Sequence, residues 1–311
     1  MTTTASAPAK AILLGEHSAL YGKSVLTMAL DKRSRSVVSK RRDDKIVVNA
    51  PDFDISARVL TDDDHEPALA LVARSVELAS EGPGGFDITI SSEIPIASGL
   101  GSSASIPASL IAAIAAEAGR DLSKQELAEL TWEAENVIHT KSSGVDPFAV
   151  VFGGLCLYRE GSVKHIDAEP PRLVIGHTGI VSDTGKVVAA VDERKKRHPE
   201  AFSAFLDDAE ALVLDGKEAL LGGDWARLGK LMDKNHELLS GIGISCPELD
   251  KAVAAARAAG AFGAKLCGAG CGGIMIALVD EKSKTAVEKA LLDSGVKLID
   301  VHPDKEGVML E

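Results

Sequence analysis

Aromatic residues are scarce, with two Trp, two Tyr and seven Phe in 311 positions. None lies among the basic runs at Lys32–Arg35, Lys40–Arg42 and Arg194–Arg197. Such runs offer no platform for stacking bases and read as solvated strand ends and a helix face. Positive charge is in deficit as well: 34 Lys and Arg stand against 46 Asp and Glu, a net charge of −12. An acidic chain repels a phosphate backbone, which excludes general nucleic-acid binding. There are only four cysteines, Cys156, Cys246, Cys267 and Cys271. They form no Cys-x-x-Cys pair, and Cys267 and Cys271 have no histidine close by in sequence, so neither a zinc site nor a disulfide framework is expected. A reducing, cytoplasmic setting follows. The longest apolar run, Ile106 to Ala116, is far short of the roughly 20 residues a membrane span needs. Met1 to Ala7 lack the charged and apolar parts of a secretion signal. The expectation is a soluble protein with no membrane partner, disordered only in its first few residues.

The length exceeds one ordinary core and suits two domains, with a boundary at Pro170-Pro171 that gives 1–169 and 170–311. Short strands are expected at Ala11–Leu14, Val25–Ala29, Ser36–Ser39, Ile46–Val48 and Phe86–Ser91. Helices are expected at Ala68–Ser80, opened by Pro67 and closed by Gly82 to Gly85, from the end of a Ser- and Gly-rich loop to Ala118, and at Lys124–Thr140 behind a Ser123/Glu126 capping box. Asp62 to Asp64 read as an acidic loop. The second half reads as a strand at Leu173–His177, helices near Glu200–Leu221, Trp225–Ser240, Pro247–Gly260 and Ser283–Ser294, two strands around a glycine loop, and strands near Val296–Val301 and Gly307–Leu310. Strands and helices mix without regular βαβ alternation, which makes the class α+β.

Four stretches carry chemistry. Ser98-Gly99-Leu100-Gly101-Ser102-Ser103 lies between a strand and a helix. Its glycines let backbone approach a ligand, and its serines put hydroxyls and amides at a helix N-terminus that favours an anion. It reads either as a phosphate cradle or as a glycine turn before a Ser-capped helix. With Ser103 as cap, Pro107 removes the first helical hydrogen bond, so the helix is expected to start later or to have a loose first turn. Lys10, Glu16 and His17 flank a short strand and a glycine turn, as a site cluster or as ordinary strand-end charges. Ser143-Gly144-Val145-Asp146-Pro147 holds an Asp able to act as base or metal ligand, or to serve an ordinary Asp-Pro turn. Glu135 lies off the apolar face of the preceding helix, where periodicity does not separate it from a solvated Glu. Gly268-Ala269-Gly270-Cys271-Gly272-Gly273 reads as a close backbone approach or as a flexible hairpin loop.

Taken in order, these stretches resemble the GHMP kinase superfamily of small-molecule kinases over nearly the whole chain. Pro8-x-Lys10, Leu14-Gly15-Glu16-His17 and Tyr21-Gly22 are similar to its mevalonate kinase branch, as is Asn235 to Ser245. The resemblance implies an N-terminal domain like ribosomal protein S5 domain 2, a ferredoxin-like C-terminal domain, and a homodimer. It implies that ATP and mevalonate bind and that phosphate moves to the mevalonate 5-hydroxyl. Gly99, Leu100, Gly101, Ser102 and Ser103 would wrap the ATP phosphates, and Ser103 with Glu135 would hold Mg²⁺. Asp146 and Lys10 would be catalytic. Lys10, Glu16, His17, Asp146 and Thr184 would meet the substrate, with the loop of Gly268, Ala269, Gly270 and Gly272 in support. The alternatives are another acceptor (phosphomevalonate, the mevalonate 3-hydroxyl, homoserine or a sugar) and a non-catalytic regulator on the same scaffold. Ala97, Lys141-Ser142-Ser143, Cys267 and Cys271 depart from the family pattern. The two thiols are either benign small residues or points where alkylation or oxidation slows turnover.

Overall fold

The structure is a computed structural model and describes residues 2–61, 66–80, 82, 84–95, 98–138 and 142–311. Asp62 to Asp64, Ala97, Thr140 and Lys141 lie outside the described residues.

The chain opens with a long hairpin, β1 (Thr2–Leu14) and β2 (Val25–Lys40), paired from Thr2–Ser39 to Leu14–Leu26. Both strands exceed the expected segments, and the first residues are ordered in β1. From Ala5 to Leu14 every residue of β1 is buried. A strand covered on both faces loses the polar alternation by which strands are read. Pro8 fits within it at a register shift between Pro8 and Ala9, a place where a missing N–H is tolerated.

Next come β3 (Ile46–Ala50), β4 (Ile55–Val59), α1 (Pro67–Ala79) and β5 (Phe86–Ser92). They are followed by α2 (Ser102–Ala118), α3 (Lys124–Glu135), α4 (Val145–Phe152), β6 (Leu155–Arg159) and β7 (Ser162–His165). The second half contains β8 (Leu173–His177), α5 (Thr184–Arg197), α6 (Pro199–Leu221), α7 (Trp225–Gly241) and α8 (Pro247–Ala258). It ends with β9 (Gly263–Cys267), β10 (Ile274–Leu278), α9 (Lys284–Ser294), β11 (Lys297–Ile299) and β12 (Met309–Leu310). Five of these elements, β4, α4, α5 and the β6–β7 hairpin, have no counterpart in the sequence reading. α3 ends at Glu135, short of the expected Thr140, and Asn136 caps it.

Among the described residues the first sheet has eight strands, in the order β12-β1-β2-β5-β3-β4 with β6–β7 also on β2, and the second has four in the order β11-β8-β10-β9. All pairs of the second sheet are antiparallel. Numbered along the chain its order is 4-1-3-2, which is the ferredoxin-like arrangement and agrees with the α+β expectation. The buried α2 packs on β1 and β2. Ser105 Oγ donates to Ala7 O at 2.7 Å, and the Ser36 and Ser109 hydroxyls meet at 2.8 Å.

The two halves share a core. Leu212, Val213, Ala219 and Leu220 of α6 join the same hydrophobic cluster as Leu14 and Leu26. A Cβ on Gly216 would lie 2.3 Å from Leu14 Cδ1, so helix and strand approach over a missing side chain. The chain's end also returns to the first sheet, where β12 pairs with β1. Arg33, read from sequence as a solvated strand end, anchors that return. It forms an ion pair with Asp304 and donates to Gly307 O at 2.6 Å. Among the described residues no helix is long and apolar enough to cross a membrane.

Candidate active site

Lys10 lies midway along β1 and is 1% exposed. Its backbone N–H donates to Leu100 O at 2.9 Å, its Nζ donates to Gly99 O at 3.0 Å, and Nζ lies 2.9 Å from Asp146 Oδ1. Burial opposes the ammonium charge, but Asp146 chiefly, then Glu135, outweigh it and raise the Lys10 pKa above its usual value. Lys10 therefore stays cationic. Gly101 makes room for it, since a Cβ there would lie 3.0 Å from Lys10 Cγ. At φ 83°, Gly101 also takes the left-handed conformation of the α2 N-cap.

Gly101, and not Ser103, is thus the cap, and α2 begins at Ser102, earlier than Pro107 led us to expect. The Gly101 carbonyl accepts from Ala104 N at 3.1 Å and Ser105 N at 2.9 Å, which closes the first turn. Pro107 lies inside the helix, where its missing N–H leaves the Ser103 carbonyl without the usual helical donor.

Asp146 occupies the second position of α4, behind Gly144 at φ 78°. A side chain at Gly144 would collide with the Tyr158 hydroxyl at 2.5 Å. Tyr158 in turn donates to Ser143 O at 2.6 Å. This corner is held by buried aromatic residues, and it aims a carboxylate that is 27% exposed.

Glu135 is 3% exposed. Ser103 Oγ donates to its Oε1 at 2.9 Å and Ser142 Oγ to its Oε2 at 2.7 Å. The carboxylate joins the start of α2, the end of α3 and the approach to α4. Its burial was invisible to helical periodicity because what covers it comes from other elements.

The glycine loop of the second half lies against the first. Gly99 O is 3.6 Å from the Cβ position of Gly268, and Ser98 O is 3.2 Å from that of Gly273. The loop is held from behind as well: Cys271 N donates to Ile244 O at 2.7 Å, Gly273 N donates to Ile180 O at 2.8 Å, and Ser182 Oγ donates to Gly270 O. It is a loop braced by backbone contacts.

His17 has φ 62°, an uncommon conformation for a residue with a side chain. Its Nε2 lies 2.8 Å from Ala269 O. A carbonyl accepts only, so we assign the proton to Nε2 and a lone pair to Nδ1. Nδ1 is buried and has no partner among the described residues. Burial lowers the His17 pKa, against the opposing pull of Ala269 and Glu16, so the ring is neutral.

Two expected residues differ from their anticipated setting. Glu16 is 2% exposed. One carboxylate oxygen is paired with Lys265 and the other accepts from Asn235 Nδ2 at 3.0 Å. Glu16 is thus held by bonds across the two halves. Thr184 is exposed at the first position of α5, two residues after Ser182, whose Oγ donates to Gly270 O. Sequence reasoning did not single out Lys265 or Asn235. The available signal was a lone Lys in an otherwise apolar strand, which requires a buried counter-charge.

Together the two loops, the α2 N-terminus, the lysine–aspartate pair and a hydroxyl–carboxylate cluster can receive polyphosphate and place a charged pair beside it. Comparison with known proteins agrees. The model described as GHMP kinases N terminal domain matches residues 68–154, and that described as GHMP kinases C terminal matches residues 217–297. The mevalonate kinase of Pyrococcus furiosus is 33% identical over 331 aligned positions, covering 100% of this chain and 99% of that protein. That of Archaeoglobus fulgidus is 35% identical, covering 99% of each. The crystal structure of L. major mevalonate kinase in complex with R-mevalonate superposes with a TM-score of 0.80 at 28% identity, over 96% of this chain and 94% of that one. With a full-length relation above 30% identity and both halves matched by the family's models, this chain belongs to the GHMP kinase family.

Proposed function

We propose that the chain transfers the γ-phosphoryl group of ATP to the 5-hydroxyl of mevalonate. The observation that carries this reading is the Lys10–Asp146 pair, 2.9 Å apart, in which the buried Lys10 is also bonded to the phosphate-loop carbonyl of Gly99. The pair joins an acceptor-side carboxylate to a nucleotide-side loop through one fixed cation. The full-length relatives named mevalonate kinase support the choice of acceptor.

Phosphoryl transfer demands positioning and charge neutralisation more than covalent chemistry. The amides and hydroxyls of Gly99 to Ser103 cradle the ATP phosphates at the positive end of α2. Two of the three Lys10 N–H donors are used by Asp146 and Gly99, which leaves one for the transferring oxygen. Asp146 orients the acceptor hydroxyl and takes its proton as the oxygen attacks. His17 Nδ1 offers an acceptor to a second polar group of the substrate, and Thr184 is assigned to the acceptor side with it. Gly268, Ala269, Gly270 and Gly272 keep the second half's backbone against the nucleotide loop.

The hydroxyl and carboxylate oxygens of Ser103 and Glu135 are the hard donors that Mg²⁺ prefers, and few protein ligands suffice when phosphates supply others. We assign the ion to these two residues. When bound it neutralises phosphate charge.

The test is ADP release with Mg·ATP against mevalonate, phosphomevalonate, homoserine and galactose. Selective turnover of mevalonate is the expected result. Preference for another alcohol would overturn the substrate, and no turnover with any of them would overturn the kinase reading.

A further inference from the structure

Lys265 is completely buried in β9, at 0% exposure. Its ammonium is paired with Glu16 and donates to Leu266 O at 2.7 Å and to Ile12 O at 3.4 Å. Three donors meet three acceptors, so Lys265 has no N–H left for a ligand. Asn235 of α7 approaches the same corner from the other side. Its Oδ1 accepts from Gly15 N at 3.3 Å and its Nδ2 donates to Glu16 Oε2 at 3.0 Å. A single amide thus ties the backbone before Glu16 to the Glu16 side chain. α7 is itself fixed to β9: Ala264 N donates to Asp233 Oδ1 at 2.8 Å and Leu266 N donates to His236 Nδ1 at 3.2 Å.

The residue that follows Glu16 is His17, with its left-handed backbone at φ 62°. Such a conformation persists only where neighbouring contacts over-determine it. On one side His17 meets Ala269 O, and on the other the chain is gripped at Gly15 and Glu16. If that grip is released, the turn relaxes and the His17 ring leaves the position in which Nδ1 is presented.

We infer that Lys265 and Asn235 are positioning residues for the acceptor side of the site. They lock the Glu16–His17 turn from the second half of the chain, and through it set the place and tautomer of the His17 ring. An unprotonated Nδ1 accepts a hydrogen bond, so the group it takes is a hydroxyl of the acceptor. That assignment rests on the kinase reading above, whereas the coupling of Lys265 and Asn235 to His17 rests on the contacts alone.

The variants are Lys265→Met, Asn235→Leu and the double variant Glu16→Gln/Lys265→Met, which leaves no lone buried charge and so keeps the test available where the single variant fails to fold. Each protein is labelled with nitrogen-15 histidine, and the His17 signal is identified by its absence in His17→Gln. In wild type, His17 is expected as the neutral Nε2–H tautomer. In the folded variants its ring resonances move, and the KM for mevalonate rises about tenfold or more, while affinity for a non-hydrolysable Mg·ATP analogue stays within about twofold. An unmoved His17 signal in the folded variants would overturn the inference, as would equal losses on the nucleotide and acceptor sides. Wild-type protein that does not turn over mevalonate would remove the kinase reading, and the His17 signal would then decide the coupling by itself.

Discussion

Lys10 Nζ stands 2.9 Å from Asp146 Oδ1, and the two carriers differ sharply in exposure, 2% for the lysine side chain and 27% for the aspartate. The cation is locked into the protein while the carboxylate keeps one edge toward solvent. This asymmetry separates their roles. Asp146→Asn keeps the shape of the corner but removes the proton acceptor. It is expected to lower kcat by about 100-fold or more and to leave the affinity for an ATP analogue within about twofold, measured by turnover and by calorimetry. Near-normal kcat would remove Asp146 from the mechanism.

Ser103→Ala and Glu135→Gln act on the other cluster. Each weakens the hydroxyl–carboxylate pair at 2.9 Å, and the magnesium concentration at half-maximal rate is expected to rise about tenfold. A magnesium titration superimposable on wild type would place the ion elsewhere.

Gly101→Ala tests the geometry that seats Lys10. The substitution forces a side chain into φ 83°, which costs about 1–2 kcal/mol, and puts a methyl 3.0 Å from Lys10 Cγ. Both a lower melting temperature and a lower kcat are expected. Retained activity with only a stability loss would mean that Lys10 moves aside without consequence.

The thiols divide by environment. Cys267 is 2% exposed and burial raises its pKa, while Cys271 is partly exposed. The reactive thiolate of Cys267 is disfavoured and shielded. Alkylation of native protein followed by mass spectrometry is expected to spare Cys267 until the protein unfolds, so a thiol effect on turnover can arise at Cys271 but not at Cys267. Early labelling of Cys267 would contradict its burial.

Stability below neutral pH carries a signature of His236. Burial, then Arg257, lowers its pKa from 6.5 to about 4, against the opposing effect of Asp250 3.2 Å away. The folded state thus resists protonation that the unfolded state accepts. The contribution is fully present above pH 6.5 and is lost as pH falls toward about 4. It amounts to roughly 3 kcal/mol. Urea titrations at pH 7.5 and pH 5 are expected to show a smaller loss in His236→Gln than in wild type, and an equal loss would rule out His236 as the source.

Much of the architecture is legible in the sequence because local rules govern it. The Ser123/Glu126 capping box opens α3 where expected, and Pro67, Pro199 and Pro247 each stand at the start of a helix. The site motifs are legible where glycine and serine have few other uses, as at Ser98–Ser103. What local rules miss is burial imposed by distant elements. Glu135 looks like any helical glutamate until α2 and Ser142 cover it. β1 hides its length because it is buried on both faces. The Lys265–Glu16 pair joins residues 249 positions apart, a relationship no window along the chain contains.

The decisive measurement is the position of the new phosphate. Wild-type protein is incubated with Mg·ATP and mevalonate, and the product is examined by phosphorus NMR with coupling to protons. A phosphate coupled to the C5 methylene protons is the expected result. A phosphate on the 3-hydroxyl, or none attached to mevalonate, would contradict the assignment of Asp146 to the 5-hydroxyl.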